Sequence, residues 1–299
     1  MNPDDSRRLL LTLKPEFFFR PTQLIRRLVR HRGPTNRRVE VTLPWGLTLV
    51  IDSQDTIGIA LWQLGIYDLA LSECAWRLLE PGETALDVGG NIGYMSCLLA
   101  ARSGPSGCVH TFEPHPLLKK RLEAQIARWP TSIAASVVTH GLALSDRIGT
   151  AFLAEPSEFS SNCGTATLQP NDSERGHTVA TITLDSLPVA DSPAGLMKVD
   201  VEGHELSVFQ GGAKTLRSGR IRDIVFEEHS GKSSPACTFL QDCGYTLFQI
   251  ERRFVGPILA EPGSPCSTPW NASNYLATRD PIRALQKMSP FGWQVLKSR

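Results

Sequence analysis

The spacing of apolar and polar positions changes character near residue 84. Upstream, residues 6–32 interleave apolar and basic groups, and Pro15 and Pro21 divide them into two short helical pieces. The runs RRVEVTL and LTLVIDS flank Pro44-Trp45-Gly46 and predict a β-hairpin. DLALSECAWRLLE has helical periodicity and stops at Pro81-Gly82. From residue 84 strands and helices alternate. TALDVG, CVHTFE, SVVTHGLAL, GLMKVDV and DIVFEEH read as strands, and YTLFQIE and SNYLATRD complete the set. Between them NIGYMSCLLAARSG, HPLLKKRLEAQIARW, HELSVFQGGAKTLRSG and a segment near 233–242 read as helices. This alternation predicts an α/β fold, a mostly parallel sheet with helices on both faces. The division expected is a basic helical arm (1–38), a hairpin and helix (39–80), the α/β domain (81–280, with a polar insertion at about 147–190) and a C-terminal tail (281–299).

Composition narrows the class of protein. Of 299 residues, 41% are hydrophobic and 20% charged, so a large core needs no disulfide or metal staple. The net charge of +1 argues against a nucleic-acid partner. The charge is uneven: residues 1–40 hold ten Lys/Arg and four acids, which leaves the remainder at −5. That arm is expected to pack on the domain as a solvated helix or to bring the chain to an anionic membrane surface. Seven cysteines without a C-x-x-C pair suit reduced thiols in a cytoplasm. The opening LLLTLKPEFFF is too short and too interrupted to read as a secretory signal.

Candidate chemistry begins at Asp87-Val88-Gly89-Gly90-Asn91-Ile92-Gly93, where a strand turns into a helix. Glycines there let a ligand approach the backbone. The spacing is D-x-G-x-N-x-G. The dinucleotide pattern G-x-G-x-x-G and the phosphate-loop pattern are both absent, so the turn does not suit pyrophosphate. Glu113 ends the next strand, where an acid can accept both hydroxyls of a ribose. Together they predict a nucleoside-bearing cofactor.

These segments resemble the first two motifs of S-adenosylmethionine-dependent methyltransferases. Leu196-Met197-Lys198-Val199-Asp200-Val201-Glu202-Gly203-His204-Glu205 and then Gln210-Gly211-Gly212-Ala213 resemble the hallmark of the FkbM family. Leu64-Gly65-Ile66-Tyr67-Asp68, Ala143-Leu144-Ser145-Asp146, Thr183-Leu184-Asp185-Ser186-Leu187 and Ile224-Val225-Phe226-Glu227 are also similar to it, so the likeness runs from about 40 to about 279. The resemblance implies a Rossmann-like methyltransferase fold with seven strands, the last antiparallel, and O-methylation. It also implies that Gly89, Asn91 and Gly93 line the methionine part of S-adenosylmethionine, with Asp87 near its amino group. Glu113 would hold the ribose, and Leu142 and Ala143 would lie near the adenine. Tyr67 and Glu73 are further candidates for the methionine end.

An alcohol acceptor must lose a proton, which calls for a base or a metal. Asp200, Glu202 and His204 follow the fourth strand, and Glu227, Glu228 and His229 end the fifth. Asp200, Glu202 and His204 are the catalytic candidates. Glu227 and His229, with Asn162 and Gly164 of the insertion, are candidates for the acceptor, a small molecule or glycan. Asp200, Glu227 and Glu228 could hold Mg2+. Two other readings stay open: a nicotinamide oxidoreductase of similar fold, which the missing G-x-G-x-x-G disfavours, and a non-catalytic cofactor-binding or membrane-surface adaptor.

Overall fold

The computed structural model describes residues 14–20, 22–23, 25, 36–156, 159, 166–169, 175–263 and 274–297. Among the described residues of the arm, the turn α1 (Pro15–Phe18) is tied to the body through the Glu16–Arg252 ion pair at 2.6 Å, with Phe17 buried. The hairpin forms as expected from β1 (Arg38–Thr42) and β2 (Thr48–Asp52), which pair antiparallel as a separate ribbon. Gly46, in the connecting turn, has φ +91°, which the turn requires and glycine supplies. A helix that periodicity did not mark, α2 (Thr56–Leu64), starts on an Asp55 cap that accepts from Ile57 and Gly58 N–H and ends at left-handed Gly65. The predicted helix α3 (Leu69–Leu78) follows.

The main sheet is built from β3 (Thr84–Val88), β4 (Cys108–Phe112), β5 (Ser136–His140), β10 (Ala194–Val199), β11 (Ile221–Glu227), β12 (Thr246–Arg253), β13 (Gly256–Ala260) and β14 (Asn274–Thr278). Their order is β13-β12-β14-β11-β10-β3-β4-β5. β5, β4, β3, β10 and β11 are parallel neighbours, and β14 runs antiparallel between β11 and β12. The seven expected strands are thus present with the last one antiparallel. An eighth, β13, folds back on β12 as an edge hairpin. Helices α4 (Tyr94–Ser103), α5 (Pro116–Ile126), α6 (Glu205–Gly211), α7 (Ala213–Arg217) and α8 (Pro235–Asp242) connect the strands. Two large apolar clusters, one containing Leu98, Leu196 and Trp293 and the other Met197, Phe209 and Phe226, make up most of the core, and a small third joins Ala143, Leu153 and Val179.

Three segments differ from the sequence reading. The long third strand breaks at Gly141-Leu142. Its end, β6 (Ala143–Leu144), leaves the main sheet and joins β7 (Gly149–Ala154), β8 (Thr167–Gln169) and β9 (Gly176–Ile182) in a four-stranded sheet of order β6-β9-β7-β8. The described part of the polar insertion therefore holds three strands, β7, β8 and β9. The single helix expected over 204–219 is two, divided at Gly212; beside the break, Gly211 packs so closely that a Cβ there would lie 1.9 Å from Ser145 O. The C-terminal tail carries α9 (Pro281–Met288) and is held against the domain. Arg77 donates to the carbonyls of Met288 and Pro290, and Trp293 is fully buried.

Candidate functional site

In a parallel sheet all carboxyl ends share one edge, and ligands bind where the strand order reverses. Here the chain leaves β3 toward β4 and β5, then returns on β3's other side as β10, so the switch lies between β3 and β10. Gly89 follows β3 and Asp200 follows β10. The two backbones approach so closely that a Cβ on Gly89, itself at φ +84°, would lie 2.0 Å from Asp200 O. A cleft opens over this point, lined by Tyr67, Gly89, Asn91, Glu113, Asp200, Glu202, His204 and Glu227. Its apolar wall is Phe112, Leu142, Ala143 and Leu144, with Leu153 and Leu168 from the insertion sheet.

On the β3/β4 side the carboxylate is oriented by the backbone. Glu113 is 5% exposed, and its two oxygens accept from Asn91 N–H at 2.7 Å and His115 N–H at 2.8 Å. Burial pushes its carboxyl up to about 7, against the pull of those two N–H groups. Asn91 holds φ +49°, and its side-chain oxygen Oδ1 is buried with no hydrogen-bond partner among the described residues. An orphaned buried acceptor beside an oriented carboxylate and an apolar wall fits a nucleoside cofactor with a charged amino-acid tail. Gly93, at φ +95°, packs under Leu122, whose Cδ1 would lie 2.8 Å from an added Cβ; it starts α4 and is absent from the cleft wall.

Asp87 stands elsewhere than expected. It is fully buried, accepts from Ser96 Oγ at 2.5 Å, and lies 3.5 Å from Lys198 Nζ. It therefore acts on the cleft through Lys198. This lysine is 3% exposed, donates to Gly89 O at 2.8 Å and sits 3.4 Å from Asp200 Oδ2. Burial would lower its pKa, but Asp200 and Asp87 outweigh that and hold it above the usual value. Lys198 thus ties the glycine turn to the end of β10. Nothing in the sequence pattern marked it beyond a charged residue inside an apolar strand.

On the β10/β11 side the carboxylates face one another. Glu202, at φ +53°, is raised to about 7 by burial and by Asp200 and Glu227. Glu227 is raised by burial and by Asp200, and lies 3.5 Å from exposed His229. Tyr67 closes the cleft near these acids; burial, Asp68 and Asp200 push its hydroxyl up to about 12. Glu205, by contrast, closes the strand-to-helix turn by accepting from Val201 and Gly203 N–H.

His204 has a defined tautomer. Its Nε2 is 2.9 Å from Ser145 Oγ, which donates to Asp146 Oδ1 at 3.0 Å. The serine hydrogen is committed to a carboxylate that has none to give, so Nε2–H donates and Nδ1 keeps the lone pair. Burial lowers the imidazole's pKa, opposed by Asp146, and keeps the ring neutral near pH 7.

Two further expectations are corrected by these positions, and a third falls outside them. Glu73 is fully buried outside the cleft, paired with Arg77 and accepting from Gln294 and Val295 N–H, so it anchors the C-terminal segment. Asn162 and Gly164 lie outside the described residues. Asp200, Glu227 and Glu228 do not fit a magnesium site. Asp200 is engaged by Lys198, and Glu228 accepts from Ser230 N–H. The group of potential ligand atoms that does gather, among the described residues, is His115, Glu155 and His177. There His115 Nδ1 accepts from Leu117 N–H, which leaves Nε2 to carry the hydrogen it gives Glu155. No step below runs through a metal.

Strand order and cleft together define a Rossmann-like methyltransferase fold. The model of the methyltransferase FkbM domain matches residues 87–247, and the chain belongs to that family. It is 32% identical over 172 residues to the hexuronic acid methyltransferase AglP of Haloferax volcanii, a match covering 56% of this chain and 66% of that protein. It is 41% identical over 69 residues to the AMB antimetabolite synthetase AmbE of Pseudomonas aeruginosa, covering 23% of this chain and 3% of that one. The chain thus spans less than two thirds of either relative. Among solved structures, an S-adenosylmethionine-dependent O-methyltransferase from Thermotoga maritima aligns at TM-score 0.41 and 14% identity, over 84% of this chain and 80% of that one.

Proposed function

We propose that this chain transfers the methyl group of S-adenosylmethionine to a hydroxyl oxygen of an uncharged sugar or other polyhydroxylated small molecule. The observation that carries the reading is the pairing of two unlike half-sites across the β3/β10 switch: an oriented, largely buried half and an open, acid-lined half.

S-adenosylmethionine supplies a methyl carbon on a positively charged sulfur, open to in-line displacement by an oxygen nucleophile. The protein's task is then alignment and removal of one proton. Glu113, held by two backbone N–H groups, has lone pairs left for the ribose hydroxyls. Asn91 Oδ1 is the acceptor available to the amino-acid tail, and the wall of Phe112, Leu142 and Leu168 takes the flat base. Asp200 and Glu227 accept from hydroxyls of the incoming molecule and fix its orientation. His204 Nδ1 removes the proton of the attacking hydroxyl, with the ring held by Ser145 and Asp146.

The relative AglP is named for a hexuronic acid, a negatively charged sugar. The acceptor side here carries Asp200, Glu202 and Glu227, while Lys198 is buried between two carboxylates. Residues 157–165 and 170–174 of the insertion contain no Lys or Arg. An anionic acceptor would meet like charge, which favours a neutral one. The test is release of S-adenosylhomocysteine with matched neutral hexosides and hexuronates. Turnover on neutral hydroxyls is expected; methyl transfer confined to the uronate would contradict the acceptor assignment.

A further inference from the structure

Away from the cleft, three distant segments bring aromatic rings together at the surface. Phe18 and Phe19 come from the arm, Phe254 from the β12–β13 turn, and Phe291 from the C-terminal segment. Phe18 lies 5.2 Å from Phe19 and 5.3 Å from Phe254, and Phe19 lies 6.0 Å from Phe291. Such a cluster would ordinarily be core, yet Phe18 is 66% exposed, Phe254 42%, Val255 46% and Phe291 70%. Contiguous exposed apolar surface of this kind marks an interaction site.

The platform beneath is fixed. Gly292 N–H donates to Val255 O at 2.8 Å, and Trp293 Nε1 donates to Phe254 O at 3.1 Å. The buried Glu73–Arg77 pair clamps the same segment from below, Arg77 through Gly292 O and Glu73 through the N–H groups of Gln294 and Val295. The rings are therefore presented by a rigid support.

Charge selects the partner. Among the described residues of these segments the acids, Glu16 and Glu251, are both 2% exposed, whereas Arg253 on the turn and Lys297 are exposed. The chain tethered between Arg20 and Asn36 holds Arg26, Arg27, Arg30 and Arg32 and no acid. Among the described residues no helix is long and apolar enough to cross a membrane, so this surface would lie on a bilayer and not span it. The geometry points to a peripheral membrane site: Phe18, Phe254, Val255 and Phe291 enter the interfacial zone of an anionic bilayer, and the exposed Arg253 and Lys297 of the same segments bind its lipid phosphates. This inference is independent of the methyl-transfer reading.

The test is flotation of the full chain with vesicles of phosphatidylcholine alone and of phosphatidylcholine with about one third phosphatidylglycerol. Binding is expected to the anionic vesicles and to weaken with added salt. In Phe18→Ser/Phe291→Ser, partitioning should fall at least roughly tenfold. In Arg253→Gln/Lys297→Gln it should fall roughly fivefold per charge. An unchanged thermal transition and unchanged S-adenosylhomocysteine affinity would show that these variants fold. Wild-type protein that stays in the soluble fraction with anionic vesicles overturns the inference. So does a double phenylalanine variant that floats like wild type, which would leave charge alone as the cause. A dimer that forms without lipid and is lost in that variant, with no flotation, would reassign the face to self-association.

Discussion

The two halves of the cleft use the same residue type in opposite ways. On the β3/β4 side Glu113 spends both oxygens on backbone N–H groups and is almost wholly buried. On the β10/β11 side Asp200, Glu202 and Glu227 crowd one another, and the latter two are raised by burial and by the charge of Asp200. Fixed, backbone-satisfied groups suit one ligand of constant shape; a cluster of carboxylates with spare lone pairs suits an acceptor that brings its own hydroxyl donors. Lys198 joins the halves, since it touches Gly89 O, Asp87 and Asp200.

The sharpest way to break the comparison is at the seam. Gly89→Val should collapse both halves at once, because its Cβ would need the space of Asp200 O. A loss of roughly 3 kcal/mol or more in urea unfolding is expected, with cofactor binding lost as well. A stable, binding-competent variant would mean that the strands can part without consequence.

The halves should then separate by substitution. His204→Gln is expected to cut turnover roughly a hundredfold or more while S-adenosylhomocysteine affinity stays near wild type. A matching loss of cofactor affinity would place His204 in the other half. Ser145→Ala should act in the same direction but more weakly, roughly tenfold, by releasing the imidazole tautomer. Nitrogen chemical shifts of His204 check this directly: Nε2–H should dominate in the wild type and give way to a mixture in Ser145→Ala.

The smallest effect is in pH dependence. Glu113 is raised from its ordinary range to about 7 in the folded chain. The folded state therefore binds this proton more tightly than the unfolded state, and the contribution to stability is full below the unfolded value. It is lost as pH rises through about 7. Cofactor binding has the opposite slope, because the ionised carboxylate is the better acceptor for ribose hydroxyls. Affinity should rise between about pH 6 and 8 in the wild type and stay flat in Glu113→Gln. Titration calorimetry across that range measures it.

Most of this architecture was legible in the chain. The shift to strand–helix alternation near residue 84 marked the parallel sheet, and D-x-G-x-N-x-G with Glu113 marked the oriented half of the cleft. What stayed hidden depends on contacts distant in sequence. Glu73 looks like any acid on a helix until Arg77 and the C-terminal segment close over it. Asp87 ends its strand where a ligand could be met, yet Ser96 and Lys198 enclose it. The insertion reads as a polar loop because most positions of β7 and β9 are half-exposed or exposed and carry small or polar residues. Lys198 was printed inside the family hallmark, but an apolar strand gives no sign of which carboxylates will flank its one charge.

The central claim is that the β3/β4 half holds S-adenosylmethionine through Glu113. Calorimetric titration of S-adenosylhomocysteine into the wild-type chain and into Glu113→Ala tests it most directly, with NAD as the control ligand. The account predicts binding by the wild type, none of NAD, and a loss of roughly tenfold or more in the variant, since hydrogen bonds to a charged group would be removed. Equal affinity in wild type and Glu113→Ala, or binding of NAD in place of S-adenosylhomocysteine, would contradict it.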